Sequence, residues 1–236
     1  CCRDRFCDNC QNALSQQRYE KYLPFLEKLS EDFDIYHIVL TVPNCFIKDL
    51  ARTINKMYDS FNRLIRFFDG RKSVRNVDFS YYGYVGCVRS LEITKNKDRN
   101  DFHPHLHCLF LFKKGLKLNE NRTHINCYSF KNPDVKRSHH KNSKRYFGDF
   151  EIFLQKLWRL IIDGVEVNYS NLQELPLGYS VVVDHAADRY KEIFKYATKG
   201  ILSVGKDNAP DEVYDDFCAL FFILYRRKLT QGYGCL

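Results

Sequence analysis

The run His103-Pro104-His105-Leu106-His107-Cys108-Leu109-Phe110-Leu111-Phe112 constrains this chain more than any other segment. It is the length and composition of a strand, and alternate side chains of a strand share a face. His105 and His107 therefore point one way, and Leu106, Cys108 and Phe110 the other. The apolar face needs a core. The imidazole face can do chemistry, because two imidazoles about 6–7 Å apart along a strand can meet on one metal ion. A third ligand must come from a neighbouring strand. The preceding β-rich run VRSLEIT offers Glu92, an acidic group that is costly mid-strand unless it has a positive partner. Two His and one carboxylate leave half an octahedron open to substrate oxygens. With Mg²⁺ or Mn²⁺ the natural substrate is a phosphate. The plainer alternative is a pair of histidines on a half-exposed strand.

The rest of the chain mixes both periodicities. Residues 11–33 read as a helix, and Tyr36–Val42 as a strand stopped by Pro43-Asn44. Ile47, Leu50, Ile54, Met57, Phe61, Leu64 and Phe68 are spaced three and four apart, which predicts a long helix with Asn44 as its cap. Tyr84–Thr94 and His105–Phe112 read as strands joined by the polar turn Lys95–Asp101. Phe150–Ile162, Asp188–Lys199 and Asp211–Arg227 read as helices, and Gly178–Asp184 as a strand. Neighbouring strands with a hairpin-like link favour an α+β fold with an antiparallel sheet over a doubly wound parallel one. The expected division is an N-terminal Cys-cluster and helical segment over residues 1–35 and one larger domain over 36–236.

Composition excludes two classes. With 19 Phe and 16 Tyr in 236 residues, the chain is not a disordered tail. Its longest apolar run, Cys218–Tyr225, is eight residues, far short of the roughly 20 that span a bilayer. No secretory signal is visible, and the only methionine is Met57, so residues upstream of Cys1 are expected.

The net charge of +8 is concentrated. Ten basic residues between Lys113 and Arg145 face only Glu120 and Asp134. This stretch reads as a long surface loop over about 113–147 with Tyr128, Phe130, Tyr146 and Phe147 interleaved. Its cations, among them Lys113, Lys114, Lys136, Arg137, Lys144 and Arg145, can neutralise phosphates while aromatic faces stack on unpaired bases. A solvated insertion without a partner is the alternative. Of the ten cysteines, Cys2, Cys7 and Cys10 are grouped, with Cys1 adjacent. Two thiolates separated by two residues can grip a structural Zn²⁺, although a closed site needs a fourth ligand. A disulfide framework is the competing reading.

A second constellation lies on the predicted helix over 188–199. Glu192, Tyr196 and Lys199 fall four and three apart and share a helical face. A phenol is a poor nucleophile at neutral pH, but a nearby cation and a polarised phosphate both help it. Attack on a phosphodiester gives a phosphotyrosine and a free 3′-hydroxyl. The alternative is an ordinary helix with a half-buried Tyr and a salt-bridged Glu and Lys.

Taken together and in this order, these motifs resemble the Rep initiators of small rolling-circle plasmids, members of the HUH endonuclease superfamily. The resemblance is carried by Cys2-x4-Cys7-x2-Cys10, HIVLTVPN (His37–Asn44), the stretch Gly83–Phe112 with HPHLH, EIFKYATK (Glu192–Lys199) and the closing RRKLTQGYGCL. It implies a palm-like antiparallel sheet of about five strands with helices against it. It implies nicking and rejoining of one DNA strand at a plasmid origin, single-stranded or in a hairpin. His105, His107 and Glu92 would hold Mg²⁺ or Mn²⁺, and Tyr196 would become linked to the 5′-phosphate. Glu192 would activate water at termination, and Lys199 would sit near the scissile phosphate or the metal. Host helicase and polymerase are the implied partners, in a prokaryotic cytoplasm. Three rivals stay open: a transposase of the same superfamily, a HIT-like nucleotide hydrolase in which a His attacks phosphate without metal, and a non-catalytic DNA-binding protein.

Overall fold

A computed structural model describes residues 8–96, 99–118, 122–126, 144–175, 177–186 and 211–236. The first elements in chain order are helix α1 (Asp8–Asp32), strand β1 (Phe33–Thr41), helix α2 (Ile47–Phe68) and strands β2 (Gly86–Asn96) and β3 (Asp101–Lys113). The short strands β4 (Arg122–Asn126) and β5 (Lys144–Gly148) follow, then helices α3 (Asp149–Asp163) and α4 (Tyr169–Glu174). Strand β6 (Val181–His185), helix α5 (Asp211–Leu224) and strand β7 (Thr230–Gly234) close the described chain. The main sheet has five strands in the order β6-β1-β3-β2-β7, every neighbouring pair antiparallel. With helices packed against it, this is the α+β architecture that the sequence pattern and the resemblance pointed to.

The His-bearing strand β3 lies at the centre of that sheet. Its apolar face (Leu106, Cys108, Phe110, Phe112) packs in one core with Leu40 and Leu91 of its neighbours. Leu50, Ile54, Met57, Phe61 and Leu64 of α2 and Leu154, Leu157 and Trp158 of α3 fill the same core. The three-and-four spacing of α2 therefore ends up facing the sheet, as amphipathic periodicity requires. Ile35, Val88, Leu109 and Leu111 form a second cluster with Leu26 of α1 on the opposite face. So α1 covers one half of that face. The other half carries the ionisable groups of β1, β2 and β3.

Two side chains tie α3 to the strand ends. Trp158 Nε1 donates to the Thr41 carbonyl at 2.7 Å. Glu151 accepts from Gly148 N at 2.8 Å and from Val183 N at 2.9 Å, closing the start of α3 onto β6. No helix among the described residues is long and apolar enough to cross a membrane.

Several local expectations are corrected. Asn44 does not cap α2, whose N-cap position is Phe46 with no side-chain bond. The Asn44 amide instead donates to Asp101 at 2.8 Å and accepts from His103 Nδ1 at 2.8 Å, pinning the start of β3. β3 begins at Asp101, before the Pro that usually excludes a central strand. The register explains the tolerance. Phe102 exchanges both backbone bonds with Cys45, so Phe102 and Pro104 turn their nitrogens toward the β1 side, where the ladder stops at Thr41–His105. The donor that Pro104 lacks has no acceptor waiting. The basic stretch is not one loop. β3 runs into it as far as Lys113, and β4 pairs with β5 inside it. Residues 127–143, with Lys136 and Arg137, are outside the described ones. The strand β7 and the helix α4, capped by the Asn168 side chain on Asn171 N, were not anticipated either.

Candidate metal centre

Antiparallel pairing decides which ionisable side chains meet. In the β2–β3 ladder Glu92 stands opposite His105, and Ser90 opposite His107. All three of Glu92, His105 and His107 thus share one face, two strands wide. Glu92 Oε2 lies 2.8 Å from His105 Nε2 and 2.6 Å from His107 Nε2. One ligand atom from each residue can be drawn within 4.8 Å of the others. It is the single such grouping of His, Cys, Asp and Glu among the described residues.

The charges suit one another. Hydrogen bonds from His105, then from His107, hold the Glu92 carboxyl far below the ordinary carboxylate range, although its partial burial opposes this. The side chains of His105 and His107 keep 11% and 14% of their exposure, while Glu92 keeps 33%, so the group is most open on the carboxylate side.

The outer ring nitrogens are held as well. His105 Nδ1 donates to the His103 carbonyl at 3.1 Å. That acceptor keeps the hydrogen on Nδ1 and leaves Nε2 to face Glu92. His107 Nδ1 meets Nε2 of His37 at 3.0 Å, the two rings lying 4° from parallel with centroids 5.3 Å apart. Burial, then the neighbouring His107, pushes His37 down to about 4 from its ordinary 6.5. Burial lowers His103 too, with His105 adding to the effect. Sequence reasoning missed His37 as part of this group. Its signal was the imidazole at the head of the β-rich run HIVLTV, but only the β1–β3 register, which puts it opposite Leu109, brings it to the diagonal neighbour His107 on the same face.

The donor set, two imidazole nitrogens and a carboxylate oxygen already converging, fits a divalent cation. The other expected residues fall elsewhere. Tyr196, Glu192 and Lys199 lie outside the described residues, as do Cys2 and Cys7. Cys10 is a buried residue of α1. Lys113 and Lys114 sit at the far end of β3, about 20 Å from His107 by strand rise. There Lys113 Nζ stands 4.5 Å from the Tyr81 ring centroid. Lys114 donates to the Ser30 carbonyl at 2.6 Å. Lys144 and Arg145 belong to β5.

Comparison with known proteins follows the same segment. The replication protein family matches residues 1–126, which contain β1, β2, β3 and the whole Glu92–His105–His107 group. The chain belongs to that family. It is 34% identical over 120 residues to the Protein rep of Staphylococcus aureus, covering 48% of this chain and 46% of that protein. To the Protein rep of Streptococcus pneumoniae serotype 2 it is 33% identical over 78 residues, or 33% of this chain and 21% of that one. The Protein rep of Bacillus amyloliquefaciens is 27% identical over 118 residues, 48% of this chain and 31% of the relative. The chain therefore spans less than half the length of these curated relatives. No solved structure matches it.

Proposed function

We propose that this protein initiates rolling-circle replication of a plasmid by nicking one strand at the origin. The observation that supports this most directly is the convergence of Glu92, His105 and His107 on one open patch of the central sheet, in a chain of the replication protein family. Glu92, His105 and His107 would hold a divalent cation, Mg²⁺ or Mn²⁺, which would supply the polarisation of a phosphodiester oxygen. The Tyr196 oxygen attacks the phosphorus, giving up its proton. The bond from phosphorus to the 3′-oxygen breaks, and that oxygen leaves as a hydroxyl from which a host polymerase extends. The 5′-phosphate stays on Tyr196 as an ester, so its bond energy is kept for rejoining. Lys199 steadies the charge on the phosphate. Glu192 activates the water that later releases the strand.

The family match favours this over a HIT-like nucleotide hydrolase, which needs neither metal nor Tyr. The test is incubation with Mn²⁺ and labelled single strands carrying candidate origins. A DNA–protein adduct should survive denaturation, map to Tyr196, and vanish with EDTA or with Tyr196→Phe. DNA that is bound and never cut by the unaltered protein would mean a binding protein, not an enzyme.

A further inference from the structure

The segment between α5 and β7 combines exposed aromatic rings, exposed cations and a position beside β2, the strand that carries Glu92. Phe222 is 75% exposed, more than any other large apolar side chain among the described residues, and Tyr225 is 56% exposed. Phe221 stands between them, its ring centroid 5.7 Å from Phe222 and 6.1 Å from Tyr225. Arg226 follows, its guanidinium carbon 5.2 Å from the Tyr225 centroid. It adopts a φ of 57°, the left-handed conformation in which a helix C-terminus normally places glycine. A cation thus stands where the backbone disfavours a side chain.

The segment is fastened from beneath. Arg227 turns inward to the Ile223 carbonyl and the Asn55 side chain. Tyr58 donates its hydroxyl to the Lys228 carbonyl at 3.0 Å. Arg226 and Lys228 are left exposed on either side of Arg227. The β2–β7 register then fixes where they stand. Ser90 is opposite Thr230, and Leu91 N donates to the Leu229 carbonyl at 2.9 Å. Leu229 is thereby bonded to the residue next to Glu92, and Lys228 precedes it in the chain. Tyr225 lies three residues on, so its Cα is within about 11 Å of that of Lys228.

We infer that Phe222, Tyr225, Arg226 and Lys228 form a binding strip for the single-stranded DNA that flanks the scissile phosphate. The inference rests on the DNA-nicking reading above and extends it. Unpaired bases stack on the two exposed rings, and the two cations meet the phosphates between them. Duplex DNA hides its base faces, so the strip discriminates in favour of single strands. The adjacent cations argue for a polyanion rather than a second copy of this protein, which is itself basic.

Fluorescence anisotropy with a short fluorescein-labelled oligonucleotide of mixed sequence tests this. The double substitution Phe222→Ala/Tyr225→Ala should weaken single-strand binding by about 30-fold or more and duplex binding far less. Phe222→Trp/Tyr225→Trp should restore it. Arg226→Ala/Lys228→Ala should flatten the salt dependence by about 1.4 in log–log slope, two phosphates' worth. Unchanged Mn²⁺ affinity and melting temperature identify properly folded variants. Single-strand affinity within twofold of the unaltered protein overturns the inference. So does loss of a dimer in sedimentation with DNA affinity intact, which makes the strip a contact between copies. If the strip proves to bind DNA but the unaltered protein forms no adduct with Mn²⁺, the nicking reading fails and the strip stands. If adducts form and the variants bind as before, the strip alone fails.

Discussion

His37 Nε2 lies 3.0 Å from His107 Nδ1, with the two imidazoles stacked 4° from parallel. A cation held by His107 Nε2 requires the ring's hydrogen on Nδ1, and a neutral His37 is the acceptor that keeps it there. His37 is thus a positioning residue. Its removal should cost about 10- to 100-fold in metal affinity. We expect His37→Ala to show that loss in calorimetric titration with Mn²⁺. His37→Gln, which retains an acceptor, should recover part of it. Equal affinity in all three proteins would show that the stacking is only packing.

The same contact sets a pH dependence in the metal-free protein. An unfolded His takes up a proton near 6.5, but His37 in the fold does so only near 4. Between those values the unfolded chain binds more protons, so stability falls as pH drops from about 6.5 to about 4. A shift of this size is worth about 3 kcal/mol. Glu92 acts in the same direction at lower pH: its folded value lies below the ordinary 4.5, so its contribution, present above 4.5, is lost on further acidification. Urea melts in EDTA across this range should show the decline. His37→Gln should remove the part between 6.5 and 4, and an unchanged slope would count against a buried neutral His37.

Among the described residues, Glu92 is the one anion that brings the two imidazoles to a common point. Glu92→Ala should reduce Mn²⁺ affinity by more than the roughly 10- to 100-fold expected of an outer contact. It should also abolish adduct formation. Fold stability at neutral pH should fall as well, because the hydrogen bonds that hold the Glu92 carboxyl down contribute above 4.5 and are lost with the carboxylate. Wild-type Mn²⁺ affinity in this variant would falsify the three-residue centre.

How much of this could be read from the sequence depended on how local the signal was. The α2 stripe and the face shared by His105 and His107 follow from periodicity within one element, and both appear in the fold. Glu92 was legible because a short link holds β2 and β3 in one hairpin. His37 was not, because its meeting with His107 depends on pairing across 70 residues of chain. Pro104 hid the first turns of β3 because its meaning depends on where β1 stops. The strand β7, Thr-Gln-Gly-Tyr-Gly, carries two glycines and no apolar alternation, so only its pairing with β2 makes it a strand. β4 and β5 were obscured in the same way by the charge around them.

Trp158, the only tryptophan in the chain, is fully buried and joins α3 to the end of β1 through the Thr41 carbonyl. Thr41 in turn stands opposite His105. Trp158→Phe keeps most of the buried ring but leaves that carbonyl without its indole donor, which costs about 1–3 kcal/mol. Trp158→Ala adds a cavity, and the loss should rise to about 3–5 kcal/mol. Circular dichroism during urea unfolding measures both. Mn²⁺ affinity should stay within a few-fold for Trp158→Phe, because His105 is held independently by Glu92 and the His103 carbonyl. A collapse of metal binding at preserved stability would instead place Trp158 among the groups that orient the centre.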